Sequence, residues 1–245
     1  MSLLEDKLYL RERLQPMPGD AYYLVLSDLL IAIRSMSAAH YPKVLDYGCG
    51  GSPYQSLFES TIYHRADLEG GANLDFTYGP SATLPPDISD YDCVLSTQVL
   101  EHVENPVKYL RECHRVLRPG GHLILTTHGL FEDHACPHDY WRWTVYGLKR
   151  LVEESGFHVD QIKKLTTGPR CALYLAEREL HRLRFGKAGI HGKTLAAAMH
   201  AFRALGSKRR HRAYDISFAN NRVVDVDQPH HDIYVVIALL ASRLH

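Results

Sequence analysis

The chain has 245 residues, is 45% hydrophobic and 23% charged, and carries 28 basic against 28 acidic side chains. That balance excludes a disordered tail and a uniformly basic nucleic-acid binder, and leaves room for one large globular core. Five cysteines, at 49, 93, 113, 136 and 171, form no Cys-x-x-Cys pair, which excludes a disulfide scaffold and a zinc knuckle and predicts free thiols in a reducing, cytoplasmic setting.

Leu4 to Leu14 and Asp20 to Ser37 show apolar residues at helical spacing, interrupted by Pro16 and Pro18-Gly19, and predict two N-terminal helices within a cap over residues 1–40. The most apolar N-terminal stretch, Ala21 to Ile33, contains Asp28 and is too short to span a bilayer. From Lys43 apolar runs alternate with helical patterns. Strands are predicted over 43–48, 62–66, near 73–78, 91–96 and 122–127, with helices over 54–60 and 105–117. On the second helix Val107, Leu110, His114 and Leu117 make the expected buried stripe, and Pro119-Gly120-Gly121 stops it. Thr144 is the predicted cap of a helix with Val145, Leu148, Leu151 and Val152 inward, followed by Gly156 and a strand from Phe157 to Leu165. This alternation predicts an α/β, Rossmann-like, doubly wound sheet of about seven strands in a core over 41–165.

A long excursion over 166–231 then precedes an apolar final strand, Ile233 to Leu240, in the closing segment 232–245. Leu173, Ala176, Leu180 and Leu183 predict one helix of this excursion and Leu195 to Leu205 another. Neutrality of the whole chain conceals a segregation: ten Lys or Arg stand against one acid between Arg178 and Arg212. Such a run is either a solvated face or a match for anionic company, a phosphate-linked small molecule or a membrane surface. Aromatic residues are sparse in it, so nucleic acid is not the expected partner.

The chemistry is expected around Val44-Leu45-Asp46-Tyr47-Gly48-Cys49-Gly50-Gly51, a buried strand entering a glycine turn. Gly48 and Gly50 allow a tight turn and close approach of a ligand, and Asp67 ends the next strand about 20 residues on, where such folds place a carboxylate for a ribose diol. The phosphate-cradling Gly-Lys-Ser/Thr ending is absent and Ser52 replaces the third glycine of the dinucleotide pattern, which disfavours ATP and NAD.

Leu45-Asp46-Tyr47-Gly48-Cys49-Gly50 resembles motif I of class I S-adenosylmethionine-dependent methyltransferases. Leu84-Pro85, Tyr91 to Ser96, Val99-Leu100-Glu101-His102-Val103 and Arg115 to Gly121 continue the likeness in order, in the manner of the type-11 branch. The resemblance implies a sheet whose last strand is antiparallel, and S-adenosylmethionine held by Asp46, Gly48, Gly50, Asp67, Ser81 and Gln98. Pro80 stands where the family often has an acid for the adenine amino group.

For transfer to an oxygen a base is needed. His128, His134 and the run His138-Asp139-Tyr140-Trp141-Arg142-Trp143-Thr144 follow the fifth core strand, at the sheet edge where ligands bind. His138 with Asp139 is the expected acid-base element, and Tyr140 and Trp143 the expected faces for a sugar ring or flat aglycone. The run resembles a block in bacterial type-11 methyltransferases thought to act on cell-surface glycans or related metabolites. Gln98 to His102 resembles the Glu-x-x-Glu-His ligand block of metal-dependent O-methyltransferases. A neutral glutamine in the first ligand position predicts no metal. The Asn/Asp-Pro-Pro-Tyr/Phe block of N-methylating branches is absent. The expected function is O-methylation of a small molecule such as a glycan, glycolipid precursor or glycosylated metabolite; the alternatives are a metal-dependent 2′-O-methyltransferase acting on RNA and a non-catalytic S-adenosylmethionine-binding domain.

Overall fold

A computed structural model describes residues 3–68, 73–79, 81–134, 138–182, 202, 206–226 and 232–244. Its strands are β1 (Lys43–Tyr47), β2 (Ile62–Leu68), β3 (Phe76–Tyr78), β4 (Tyr91–Thr97), β5 (Leu117–His128), β6 (Phe157–Thr167), β7 (Val223–Asp225) and β8 (Tyr234–Arg243). They form a single sheet in the order β3-β2-β1-β4-β5-β8-β6-β7. β1 to β5 pair in parallel, and β8 enters antiparallel between β5 and β6, as the resemblance implies. β7 is the additional, eighth strand. Three residues are too few to show alternation, and its edge position rests on Lys163, opposite Asp225, whose ammonium reaches that carboxylate at 2.8 Å.

Both faces of the sheet are covered, and successive residues of each strand feed opposite cores. Leu45, Val94, Leu123 and Leu239 enter one cluster with helices α3 (Pro106–Val116) and α4 (Val145–Glu154). Val44, Cys93, Ile124 and Ala238 enter the other with α2 (Tyr23–Met36) and α5 (Gly168–Arg182). This two-sided burial is why the strands are continuously apolar. α1 (Leu3–Leu14) and α2 realise the predicted N-terminal pair.

Three expectations are corrected. The 54–60 helix is a single 3₁₀ turn, Gln55–Leu57, because Phe58 turns extended (φ −107°, ψ 124°) to set its ring by Tyr41 and Tyr63. The buried stripe of α3 is Tyr109, Leu110, Cys113 and Val116, with Leu117 already in β5; Tyr109 is drawn in because its hydroxyl donates to the Tyr47 carbonyl at 2.9 Å. The buried face of α5 is Arg170, Cys171, Tyr174 and Glu177, while Ala176 is exposed and Leu173 only partly covered. The predicted helix over 195–205 lies outside the described residues apart from residue 202.

That polar inner face explains Asp28 in the middle of an apolar helix. Asp28 is fully buried and accepts from Arg170 (Nε, 2.8 Å), Arg222 (Nε, 2.8 Å) and the Thr166 hydroxyl (2.9 Å). Arg170 also donates to Asp215 at 2.9 Å on α6 (Ser207–Ser217). Two turns further along α5, Glu177 takes Arg210 (2.7 Å) and His211 (3.0 Å) of α6. Arg178 pairs with Glu132. Two cations of the basic run, Arg178 and Arg210, are thus committed to internal pairs, while Lys208, Arg209 and Arg212 remain exposed. Among the described residues no helix is long and apolar enough to cross a membrane.

Removing one member of a buried ion pair strands its partner's charge. Arg170→Ala is expected to lower unfolding stability by about 3–5 kcal/mol, read from urea titration followed by circular dichroism.

Candidate functional site

The loops that carry the expected site residues leave the carboxyl ends of the parallel strands. At the end of β1, Gly48 N–H and Cys49 N–H both donate to the Ala66 carbonyl (2.8 and 3.2 Å), which binds the turn to β2. Gly48 has φ +80°, and a Cβ there would lie 2.5 Å from Val99 Cγ2, so the position is closed to any side chain. Gly50, at φ +50°, donates its N–H to Asp67 Oδ2 at 2.6 Å, and the Asp67 Oδ1 accepts from Leu68 N–H at 2.7 Å. A carboxylate has about four acceptor sites, so two backbone donors orient Asp67 and leave it capacity for a diol.

Asp46, at the end of β1, is 2% exposed and accepts the Tyr63 hydroxyl at 2.8 Å; burial pushes its carboxyl up to about 7. Asp46, Gly48, Gly50 and Asp67 therefore come together at one turn, with Asp46 as its buried member. Tyr9 of α1 lies over the same turn: its hydroxyl would be 3.2 Å from a Cβ on Gly50, and its ring edge 3.2 Å from one on Gly51. Ser81 is exposed, bonds Thr83 at 3.3 Å and lines a cavity of about 450 Å³ with Val103, Glu104, Asn105 and Lys108. Gln98, at φ +56°, is pinned to Thr126 through both its backbone N–H (2.9 Å) and its side-chain amide (3.1 Å). Its Oε1 is buried without a hydrogen-bond partner. Pro80 lies outside the described residues.

Beyond β4 a 3₁₀ turn, Leu100–His102, carries the second constellation. Glu101 is fully buried; its Oε2 accepts the Thr127 hydroxyl at 2.7 Å and its Oε1 lies 3.1 Å from His128 Nε2. Burial pushes Glu101 up to about 7 and His128 well down, which favours the neutral form of each. His102 Nδ1 lies 2.6 Å from the His138 carbonyl, an acceptor only. Nδ1 must therefore carry the proton, and in the neutral ring Nε2 is left with a lone pair. Burial also lowers the pKa of His102, which keeps the ring neutral. Ligand atoms of Glu101, His102 and His134 all lie within 4.8 Å of one another. Glu101 Oε1 and His134 Nδ1 are both buried without a hydrogen-bond partner.

The expected His138–Asp139 pair is not formed. Asp139 is gripped by both terminal nitrogens of Arg142 (2.6 Å each), which hold it well below the usual carboxylate range, and it accepts the His134 N–H at 2.9 Å. An arginine three residues on offers a planar fork of charged donors, which outcompetes a neighbouring imidazole whose chain direction points it elsewhere. The His138 side chain is exposed; what it contributes is its carbonyl. Tyr140 and Trp141 N–H donate to the Glu101 carbonyl (2.8 and 3.2 Å), so the loop is sewn onto the 3₁₀ turn. Tyr140 is 46% and Trp141 38% exposed, whereas Trp143 packs against the core and stacks on Trp141 at 5.6 Å. The open aromatic pair is therefore Tyr140 and Trp141, with Trp143 as its support. Tyr9, Thr127 and the Asp139–Arg142–His134 link had no individual mark in the sequence, because each depends on a contact made only in the fold.

The type-11 methyltransferase domain model matches residues 45–125. A curated relative, "Ubiquinone biosynthesis O-methyltransferase" of Photobacterium profundum, is 34% identical over 106 residues, covering 35% of this chain and 43% of its own. The relative of that name from Maricaulis maris is 33% identical over 102 residues, covering 35% and 40%. The chain thus spans less than half the length of the curated relatives it matches. Among solved structures, a Thermotoga maritima S-adenosylmethionine-dependent methyltransferase superposes with a TM-score of 0.56 at 12% identity, over 97% of this chain and 95% of that one. Phosphoethanolamine N-methyltransferase 2 of Haemonchus contortus, solved with S-adenosyl-L-methionine, gives 0.53 at 14% identity over 99% and 57%. These structures share the fold.

The buried carboxyl of Asp46 gives the site a pH signature. Between about 4 and about 7 it is protonated when folded and ionised when unfolded, so the folded state binds the extra proton and stability falls as pH rises through that window. Asp46→Asn is expected to flatten this part of the stability–pH curve, measured by thermal melting from pH 4 to 8 without ligand.

Proposed function

We propose that the chain, whose residues 45–125 match the type-11 methyltransferase domain, is a class I S-adenosylmethionine-dependent methyltransferase that moves the cofactor's methyl group to a hydroxyl of a small molecule. The observation that carries the oxygen acceptor is the freed Nε2 of His102, held at the carboxyl edge of the sheet by the His138 carbonyl. Attack of a hydroxyl oxygen on the sulfonium methyl forms the O–C bond and breaks the C–S bond, S-adenosylhomocysteine leaves with the electron pair, and the hydroxyl proton needs an acceptor. His102 Nε2 is that acceptor. Glu101 and His134 border it, and Asp139, oriented by Arg142, acts through His134 as a positioning residue.

The acceptor class we propose is a glycan, glycolipid precursor or glycosylated metabolite, since Tyr140 and Trp141 offer open ring faces beside the base. The name of the curated relatives agrees with an oxygen acceptor, and their matched segment is confined to about a third of this chain. Cofactor is assigned to the glycine turn: Gly48 and Gly50 for approach to its methionine end, with Asp46 at the same turn, Asp67 for the ribose, Ser81 near the adenine and Gln98 just past β4. Exposed Lys208, Arg209 and Arg212 suit an anionic substrate or membrane surface.

A second reading is favoured by the grouping of Glu101, His102 and His134 within 4.8 Å. Glu101 Oε1 and His134 Nδ1, which lie 3.1 Å from His128 Nε2 and 3.4 Å from Asp139 Oδ2 without completing a hydrogen bond, fit a divalent ion, and one carboxylate with two imidazoles suits manganese, iron or zinc better than magnesium. Bound there, an ion would lower the pKa of an acceptor hydroxyl, and His102 would act as its ligand.

Five outcomes test these readings. Asp67→Ala is expected to weaken S-adenosylhomocysteine binding by about 1.5–3 kcal/mol in calorimetry, for loss of charge-assisted hydrogen bonds. His102→Ala is expected to lower turnover by about a hundredfold to ten-thousandfold, while His138→Ala, which keeps the carbonyl, leaves it nearly unchanged. With His102 as base, activity rises with pH through a pKa below 6.5 and is flat above it, since the neutral ring is the active form. Retention of activity in chelator supports the metal-free form; loss restored by manganese supports the second reading. Methyl label from the cofactor is expected in small-molecule fractions of cell extract, and label in RNA or protein instead would overturn the acceptor class.

A further inference from the structure

His134, whose ring meets the candidate base His102 edge-on at 4.8 Å, lies on the stretch that follows β5, where residues 129–134 form neither helix nor strand. The start of this loop is stitched to β8, since Gly129 and Leu130 N–H donate to the Val235 and Tyr234 carbonyls (2.8 and 3.0 Å). Beyond that point two arginines hold it. Arg142 takes the main chain, donating to the carbonyls of Phe131 (3.2 Å) and Glu132 (2.8 Å). Arg178 takes the side chain: its Nε and Nη2 both donate to Glu132 Oε1, at 3.0 and 2.5 Å.

Arg178 belongs to α5, in the insertion, 46 residues away from Glu132. Its Nη2 also donates to the Tyr22 hydroxyl at the start of α2 (2.8 Å), and the guanidinium lies 4.3 Å from the centre of the Tyr22 ring. Exposed ion pairs contribute little, but here the two side chains are only 23% and 11% exposed and an aromatic ring shields the cation.

The residue this clamp steadies is Phe131, next to Glu132 in the chain. Its ring lies flat on His128 (3.9 Å, 6°) and edge-on to His134 (5.1 Å), with Tyr22 and Tyr174 behind it at 6.4 and 6.2 Å. Phe131 thus packs against both histidines of the loop, and His134 in turn packs against the base. The hydrogen bonds of Arg178 go to Glu132 and Tyr22, so its influence on the base has to travel through this loop.

We propose that Arg178 is a positioning residue for methyl transfer: from the insertion it fixes Glu132, and so seats Phe131 where it holds His134 against His102. The proposal rests on the methyltransferase reading above. The insertion then serves the reaction from outside the site, and the first cation of the basic run is committed to that task.

The test uses tritiated S-adenosylmethionine as donor and a protein-free small-molecule extract as acceptor, with the rate read at saturating extract and the extract dilution at half-rate read separately. Arg178→Gln is expected to lower the saturating rate by about tenfold to a hundredfold, as a small misplacement near the chemistry does, with the half-rate dilution and the calorimetric affinity for S-adenosylhomocysteine unchanged. Glu132→Gln is expected to do the same, the two together to cost no more than either alone, and Arg178→Lys to recover part of the rate. An undiminished rate in Arg178→Gln overturns the proposal. So does a loss of S-adenosylhomocysteine affinity alongside the rate, or losses that multiply in the double variant, since each marks a general loosening instead of a tie through Glu132. If the unaltered protein puts no label into the extract, the methyl-transfer reading itself falls; if it does and Arg178→Gln keeps pace with it, only the positioning role falls.

Discussion

A parallel sheet has no face it can show to water, and everything else in this protein follows from covering both sides of one. Four parallel pairings among β1 to β5 leave apolar residues on each face of the central strands. α3 and α4 dry one side with ordinary amphipathic stripes. On the other side α2 is buried almost all round, which no single layer can achieve, so α5 and α6 must close over it. Asp28 is the price of specificity in that second layer: an apolar residue would bury as well, but only a carboxylate selects Arg170 and Arg222 and so sets the insertion in one register.

The same constraint places the chemistry. Parallel strands deliver all their carboxyl ends to one edge, so the glycine turn after β1, Asp67 in β2, the turn after β4 and the loop after β5 are neighbours without being near in sequence. Backbone groups do much of the aiming. Gly50 N–H orients Asp67, and the His138 carbonyl decides which nitrogen of His102 bears its proton. These are positions where a side-chain inventory says little and the course of the main chain says a great deal.

That difference explains what was legible in the sequence. Strand positions, the Thr144 cap and the glycine turn were readable because each rests on local physics: a continuous apolar run, one hydroxyl at a helix start, a φ above zero. The inner face of α5 was not, since counting Leu173 and Ala176 as buried assumes that interiors are apolar, whereas Arg170 and Glu177 are buried by partners 142 and 33 residues away. Asp139 failed as a partner for His138 for a related reason. Adjacent residues seldom face each other, while Arg142, at a separation of three, could reach it with two nitrogens. β7 was invisible because an edge strand of three residues is defined by the strand it joins.

One contact joins the two ends of the chain's organisation. His211 in α6 accepts the Gly19 N–H through Nδ1 at 3.1 Å and meets Glu177 through Nε2 at 3.0 Å, so its neutral ring bridges the α1–α2 link to the insertion. Arg11 fixes α1 to the same link through Asp20, so the helix that carries Tyr9 and the basic helix α6 meet at residues 19 and 20, the short stretch between α1 and α2.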